Sequence, residues 1–166
     1  MEMLIYLGVM VGLVAVITNI FLVLGRGRGT VIAQGEVHRS MRFAAERIGQ
    51  DLRSATSVTT PSLTGDVNST ATLVLAHPDD GTVTFCVVAD VLLRATSGAA
   101  CDGNAAALTP AAVVAAAPVF TRWENTNSDL MVTVVSIEFD LSMDYNSMSP
   151  DFQYSESKTT TVALRP

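Results

Sequence analysis

MLIYLGVMVGLVAVITNIFLVL, residues 3–24, carries no charge, and Thr18 and Asn19 are its only clearly polar side chains. As an α-helix rising 1.5 Å per residue it would extend roughly 33 Å, enough to cross the hydrocarbon core of a bilayer. A cleaved secretion signal has a shorter apolar region, a basic start and small residues at its cleavage point. Here Glu2 stands at the start and Gly25-Arg26-Gly27-Arg28-Gly29 at the end, so the segment reads as a retained membrane helix. The mean hydropathy of +0.38, high for a soluble domain, is concentrated in this stretch.

The remainder of the 166 residues suits one compact domain. Charge divides along the chain. Residues 1–53 hold six Arg against four acids, a net of +2, whereas residues 54–166 hold four basic side chains against twelve acids, a net of −8. An acidic globular part argues against nucleic-acid binding, which needs a basic face. The basic side chains beside the membrane segment suit lipid headgroups or a neighbouring chain. Charge alone would leave the C-terminal side in the cytoplasm, because Arg26 and Arg28 follow the apolar run.

A second helical pattern follows the glycine-arginine stretch. Val37, Met41, Ala44 or Ala45, Ile48, Leu52 and Ala55 recur every three or four residues, and Glu36, Arg39, Arg42, Glu46, Arg47, Asp51 and Arg53 occupy the other faces. One narrow apolar stripe predicts packing on a sheet. Run together, the two patterns would make one helix of roughly 80 Å, weakened at Gly25, Gly27 and Gly29, where each glycine costs about 1 kcal/mol and a bend or local melting is expected.

Residues 54–72 read as a loop, since ten of the 19 are Ser or Thr. Asn68-Ser69-Thr70 within it matches the N-glycosylation pattern. Strands are then predicted over 72–77 and 82–88, joined by the turn Pro78-Asp79-Asp80-Gly81, and over 91–95. Residues 98–117, ten of them Ala, read as a loop. A weak strand is expected at 119–123, with Trp123 read as a core aromatic and an exposed adhesive patch with Phe120 and Arg122 as the alternative. The strongest spans 131–143, where Val135, Ile137, Phe139 and Leu141 alternate with Ser136, Glu138 and Asp140. A polar loop over 144–157 precedes a last strand at 158–165. The expected fold is α+β: a long N-terminal helix packed on a mostly antiparallel β-sheet of four to six strands. It divides into residues 1–29 (apolar helix and junction), 30–57 (amphipathic helix) and 58–166 (β domain).

Glu2-Met3-Leu4-Ile5-Tyr6-Leu7-Gly8-Val9 resembles the start of the type IV pilin and type II secretion pseudopilin family, whose mature chains open with an aromatic residue, a few apolar residues and a glutamate heading the hydrophobic helix. Met1-Glu2 would correspond to the fourth and fifth mature positions, with the leader and first mature residues missing from this sequence. The likeness continues weakly through Gln50-Asp51-Leu52-Arg53-Ser54-Ala55 and returns at Thr159-Thr160-Thr161-Val162-Ala163-Leu164-Arg165, similar to the last strand of minor members. The resemblance implies a structural, non-enzymatic filament subunit without cofactors. It would be held in the cytoplasmic membrane as a single-pass protein with its C-terminal domain extracytoplasmic, and would become periplasmic or extracellular in a filament. Its implied partners are other pilin or pseudopilin subunits, membrane lipid and the inner-membrane assembly machinery. The alternative is a membrane-anchored extracytoplasmic binding module that does not polymerise.

Among single residues, Glu2 stands out. A carboxylate at the head of an apolar helix gains from the helix dipole and is costly in lipid unless paired. The resemblance implies that it sets register against a neighbouring subunit's N-terminal amine. Arg26, Arg28, Arg39 and Arg42 are candidates for contacts to adjoining subunits or headgroups. Cys86 and Cys101 are compatible with a disulfide, two separate thiols being the alternative. No metal site is expected, with Asp140, Asp144, Asn146 and Asp151 the weak candidates for calcium, which needs six to eight oxygen ligands. His38 and His77 are the only histidines, and no nucleophile elbow, P-loop or dinucleotide fingerprint accompanies them.

Overall fold

An apolar run followed without proline by an amphipathic run should propagate as one helix once nucleated. In the computed structural model, which describes residues 2–62, 69–96, 101, 105–129, 132–149 and 152–164, α1 spans Glu2–Ser54. Its 53 residues extend about 80 Å. The local melting expected at the glycines does not occur: the helix continues through Gly25, Gly27 and Gly29. Hydrogen-bonded turns on both sides outweigh the glycine penalty.

The second half of α1 buries the expected stripe. Val37, Met41, Ala44, Ile48 and Leu52 are all shielded, and Ala33 extends the stripe by one turn. Asp51, expected among the solvated faces, is buried at 4% exposure. It lies three residues from Ile48 and so inside the buried arc.

The stripe packs against strands of two sheets. The first sheet takes β1 (Ser57–Thr60), β3 (Leu73–His77), β4 (Gly81–Val88), β5 (Val91–Ala95) and β6 (Ala106–Ala107) in the order β1-β3-β4-β5-β6. The second runs β10-β9-β8-β2, from β10 (Ser155–Ala163), β9 (Val132–Tyr145), β8 (Val119–Asn127) and β2 (Ser69–Thr70). β7 (Val113–Ala115) pairs with the C-terminal end of β9. All these pairings are antiparallel.

The α+β class and the antiparallel sheet stand, but the described residues form ten strands in two sheets, not four to six in one. The added strands are β1 and β2 in the Ser/Thr-rich stretch, and β6 and β7 in the alanine-rich one. Each spans two to four residues, too short to carry a period-two signal. They form because the longer strands offer unpaired backbone groups at their edges. The helix ends at Ser54 and the first strand begins at Ser57, slightly before the expected boundary.

The turns follow local chemistry. Pro78 presets φ between β3 and β4, and Gly81 closes the turn at φ +69°, a region a glycine enters without steric cost. β4 and β5 are joined through Ala89 and Asp90, both at positive φ, as a two-residue hairpin turn of the right twist demands.

One core unites the three layers. It combines Met41, Ile48 and Leu52 of α1 with Leu73, Leu75 and Phe85 of the first sheet and Phe120, Ile137, Phe139 and Met143 of the second. Phe120 and Phe139 sit opposite one another with ring centroids 6.4 Å apart. Trp123, expected in this core, lies on the other face of β8 opposite Ser136 and is 51% exposed. Phe120 and Trp123 are three positions apart, so a strand sends them to opposite faces.

Candidate membrane and assembly helix

Among the described residues, no layer covers the first half of α1. From Met3, at 87% exposure, to Leu24, at 60%, every described large apolar side chain is open to its surroundings. This helix is long and apolar enough to cross a membrane. In water so much exposed hydrocarbon would be strongly unfavourable, at about 25 cal/mol per Å². Of its two clearly polar residues, Thr18 is paired within the helix. The Thr18 hydroxyl donates to the Val14 carbonyl at 2.8 Å, so it does not enter hydrocarbon as an unsatisfied donor.

Glu2 is the first residue of α1, where the helix N-terminus favours negative charge. Of the four arginines expected at contacts, all lie on α1; Arg28, Arg39 and Arg42 have exposed side chains. Arg42 Nε donates to Glu46 Oε1 at 2.8 Å along the same helix, and this pair raises the Arg42 pKa above its ordinary value. Such an exposed i,i+4 pair is screened by water and adds little stability.

Among the described residues, polar contacts at Asp51, His38 and Ser54 tie α1 to the β domain, and sequence periodicity revealed none of the three. Asp51 Oδ2 accepts from Arg94 Nε of β5 at 2.6 Å, while Arg94 Nη2 reaches Asp80 Oδ2 of the β3–β4 turn at 2.5 Å. Arg47 stands 3.6 Å from the other Asp51 oxygen. The second contact joins His38 Nδ1 to the Glu156 carboxylate of β10 at 3.1 Å. In the third, the backbone N–H groups of Asp79 and Asp80 donate to His77 Nδ1. That leaves the ring proton on Nε2, which donates to Ser54 Oγ at 2.8 Å. Ser54 Oγ in turn donates to the Gln50 carbonyl at 2.9 Å, near the C-terminus of α1. The two histidines are therefore spent on docking the helix.

Cys86 of β4 and Cys101 are bridged, with Cα atoms 6.4 Å apart. The bridge lies on the face of β4 opposite Val83 and Phe85. The calcium candidates are dispersed. Asp140 accepts from the Thr159 hydroxyl across the β9–β10 pair, and Asn146 Nδ2 donates to the Ala111 carbonyl at 3.2 Å. Asp140 and Asp144 stand four residues apart on β9, about 13 Å, too far to share an ion whose ligands lie at about 2.4 Å. Asp151 lies outside the described residues, as does Asn68 of the glycosylation triplet. Among the described residues no group of three or more His, Cys, Asp or Glu side chains is gathered to hold a metal.

No protein-family model matches this chain, and neither a curated protein nor a solved structure matches it. What the structure defines is a class: a helix able to span a membrane, continuous with the helix of an antiparallel α+β domain.

Proposed function

We propose that the chain is a structural subunit, of minor type, of a filament like a type IV pilus or a type II secretion pseudopilus. It is stored in the cytoplasmic membrane through residues 3–24 and assembled by packing that same stretch against the equivalent helices of other subunits. The observation that carries this reading is the continuity of α1, whose bare apolar half runs into its domain-bound half without a linker. A binding module tethered to a membrane gains from a flexible connection that lets it search for ligand. A rigid rod of about 80 Å instead fixes the β domain relative to whatever packs around the apolar half. Helix packing against similar helices supplies the driving force once the subunit leaves lipid. Glu2, at the head of the rod, sets axial register by pairing with a positive group of the adjoining subunit. The acidic β domain lies on the outside of the filament and the inner-membrane machinery acts on the membrane-stored form.

Glu2→Ala and Glu2→Leu test the reading in the native membrane. Both should insert as the parent chain does, and neither should enter filaments. Incorporation of either at parental level sinks the register role. A parent chain that stays monomeric in the membrane under all assembly conditions favours the tethered module.

A further inference from the structure

We propose that neighbouring copies of this chain meet through two different faces: the outward stripe of α1 on one copy, and the outer face of the β8-β9-β10 sheet on the next. The proposal rests on the filament reading and names the lateral contact within it.

The sheet face follows from register. Residues opposite one another in an antiparallel pair share a face. Glu138 is opposite Thr121 and Thr161, Asp140 is opposite Val119 and Thr159, and Ser136 is opposite Trp123. Arg122 and Lys158 are opposite Ile137 and Leu141, both buried, and so belong to the inner face. Among the described strand residues of this sheet no Lys or Arg therefore stands on the outer face, which carries Glu138, Asp140 and Asp144. It also leaves Trp123 51% and Val119 45% exposed, both large apolar groups in a folded chain.

The helix face is its complement. At 100° per residue, Arg28, Ile32, Arg39 and Phe43 fall on the side of α1 opposite Val37 and Ile48. Ile32 is 58% and Phe43 53% exposed, beyond the end of the membrane-length apolar run. Between Arg28 and Phe43 two cations and two apolar anchors thus face away from the domain, and Glu46, on the same side one turn further on, is paired with Arg42. The dimensions agree: Arg28 to Phe43 spans about 23 Å of helix, and Ser136 to Asp144 about 27 Å of strand. Each exposed charge pair adds little energy. Association is driven by the apolar half of α1, and this contact selects orientation and partner. Because the two faces differ, the contact is head-to-tail, the kind that builds an open filament when its rotation does not close into a ring.

The test uses the full chain in its native membrane with a photo-crosslinking benzoylphenylalanine in place of Phe43, and separately in place of Val14. Irradiation at position 43 should join two copies, with the crosslinked peptide mapping to β8 or β9. Arg39→Glu and Glu138→Arg should each reduce this product about fivefold, as expected for losing roughly 1 kcal/mol. The two together should restore at least half of it. Crosslinks from position 43 that map elsewhere, or that ignore charge reversal, overturn the proposed contact. If position 14 still crosslinks copies in that case, the filament reading survives without it. Loss of crosslinking from both positions in the parent background overturns both.

Discussion

Asp51, in the last turn of α1, accepts a 2.6 Å hydrogen bond from Arg94 of β5, and both side chains are nearly shut off from solvent, at 5% and 11% exposure. A carboxylate near a helix C-terminus opposes the helix dipole. Asp51 is held there by a partner 43 residues away in sequence. The pair clamps the rod to the first sheet, which matters if the rod transmits the position of the membrane half to the domain. Arg94→Ala leaves Asp51 buried with only the more distant Arg47, and should destabilise the domain by about 3 kcal/mol or more. Asp51→Ala should cost less, since Arg94 keeps Asp80. Urea unfolding of the detergent-solubilised chain, followed by near-ultraviolet circular dichroism, measures both; equal stability of Arg94→Ala and parent would refute the clamp.

Acid should loosen the same clamp. The hydrogen bond from Arg94 holds the Asp80 carboxyl below its ordinary pKa. A carboxyl whose folded pKa lies below its unfolded one adds stability that is complete above the unfolded value. That stability is lost as pH falls through the folded value. The contribution is thus intact at neutral pH and disappears below about pH 4. Asp80→Asn should flatten the acid limb of a stability-against-pH curve while leaving its neutral plateau lower. An unchanged acid limb in this variant contradicts the assignment.

The Cys86–Cys101 bridge closes a loop with a sequence separation of 15. Restricting the unfolded chain by such a loop contributes about 3 kcal/mol. Reduction, or replacement of both cysteines by alanine, should lower the urea midpoint of the β domain accordingly while leaving membrane partitioning of the intact chain unchanged. Equal midpoints in oxidised and reduced protein would remove the bridge from the stability account.

Val14 lies near the middle of the apolar run and is 56% exposed. Val14→Arg should oppose insertion by about 2.5–3.5 kcal/mol. Vesicle flotation should fall, while the urea unfolding of the β domain stays as in the parent, because none of the described domain residues covers this part of α1. Loss of the domain transition in this variant would mean that the apolar half packs on the domain.

Ala89 sits at φ +49° in the β4–β5 turn, a conformation that costs an ordinary residue about 1 kcal/mol. Asn tolerates it better. Ala89→Asn should raise stability by about 0.5 kcal/mol, read from the same urea transitions. A loss of stability would show that the turn is held differently.

What was legible in the sequence was whatever repeats locally. Residues 3–24 have no polar side, so their bare helix is visible without a partner. The stripe from Val37 to Leu52 and the alternation from Val135 to Leu141 are periods of 3.6 and 2, and each marks its buried face before that face meets anything. What tertiary structure alone decided lies where two distant segments choose each other. Phe120 and Trp123 have opposite parity on β8, and either could have been the inward one until register with β9 set Phe120 against Phe139. Asp51 reads as a surface acid until Arg94 arrives beside it. The two- to four-residue strands exist only because neighbouring edges have backbone groups to pair. Apolar patterning is written along the chain because burial acts on each side chain by itself, whereas ion pairs, register and edge strands depend on distances that only the folded chain supplies.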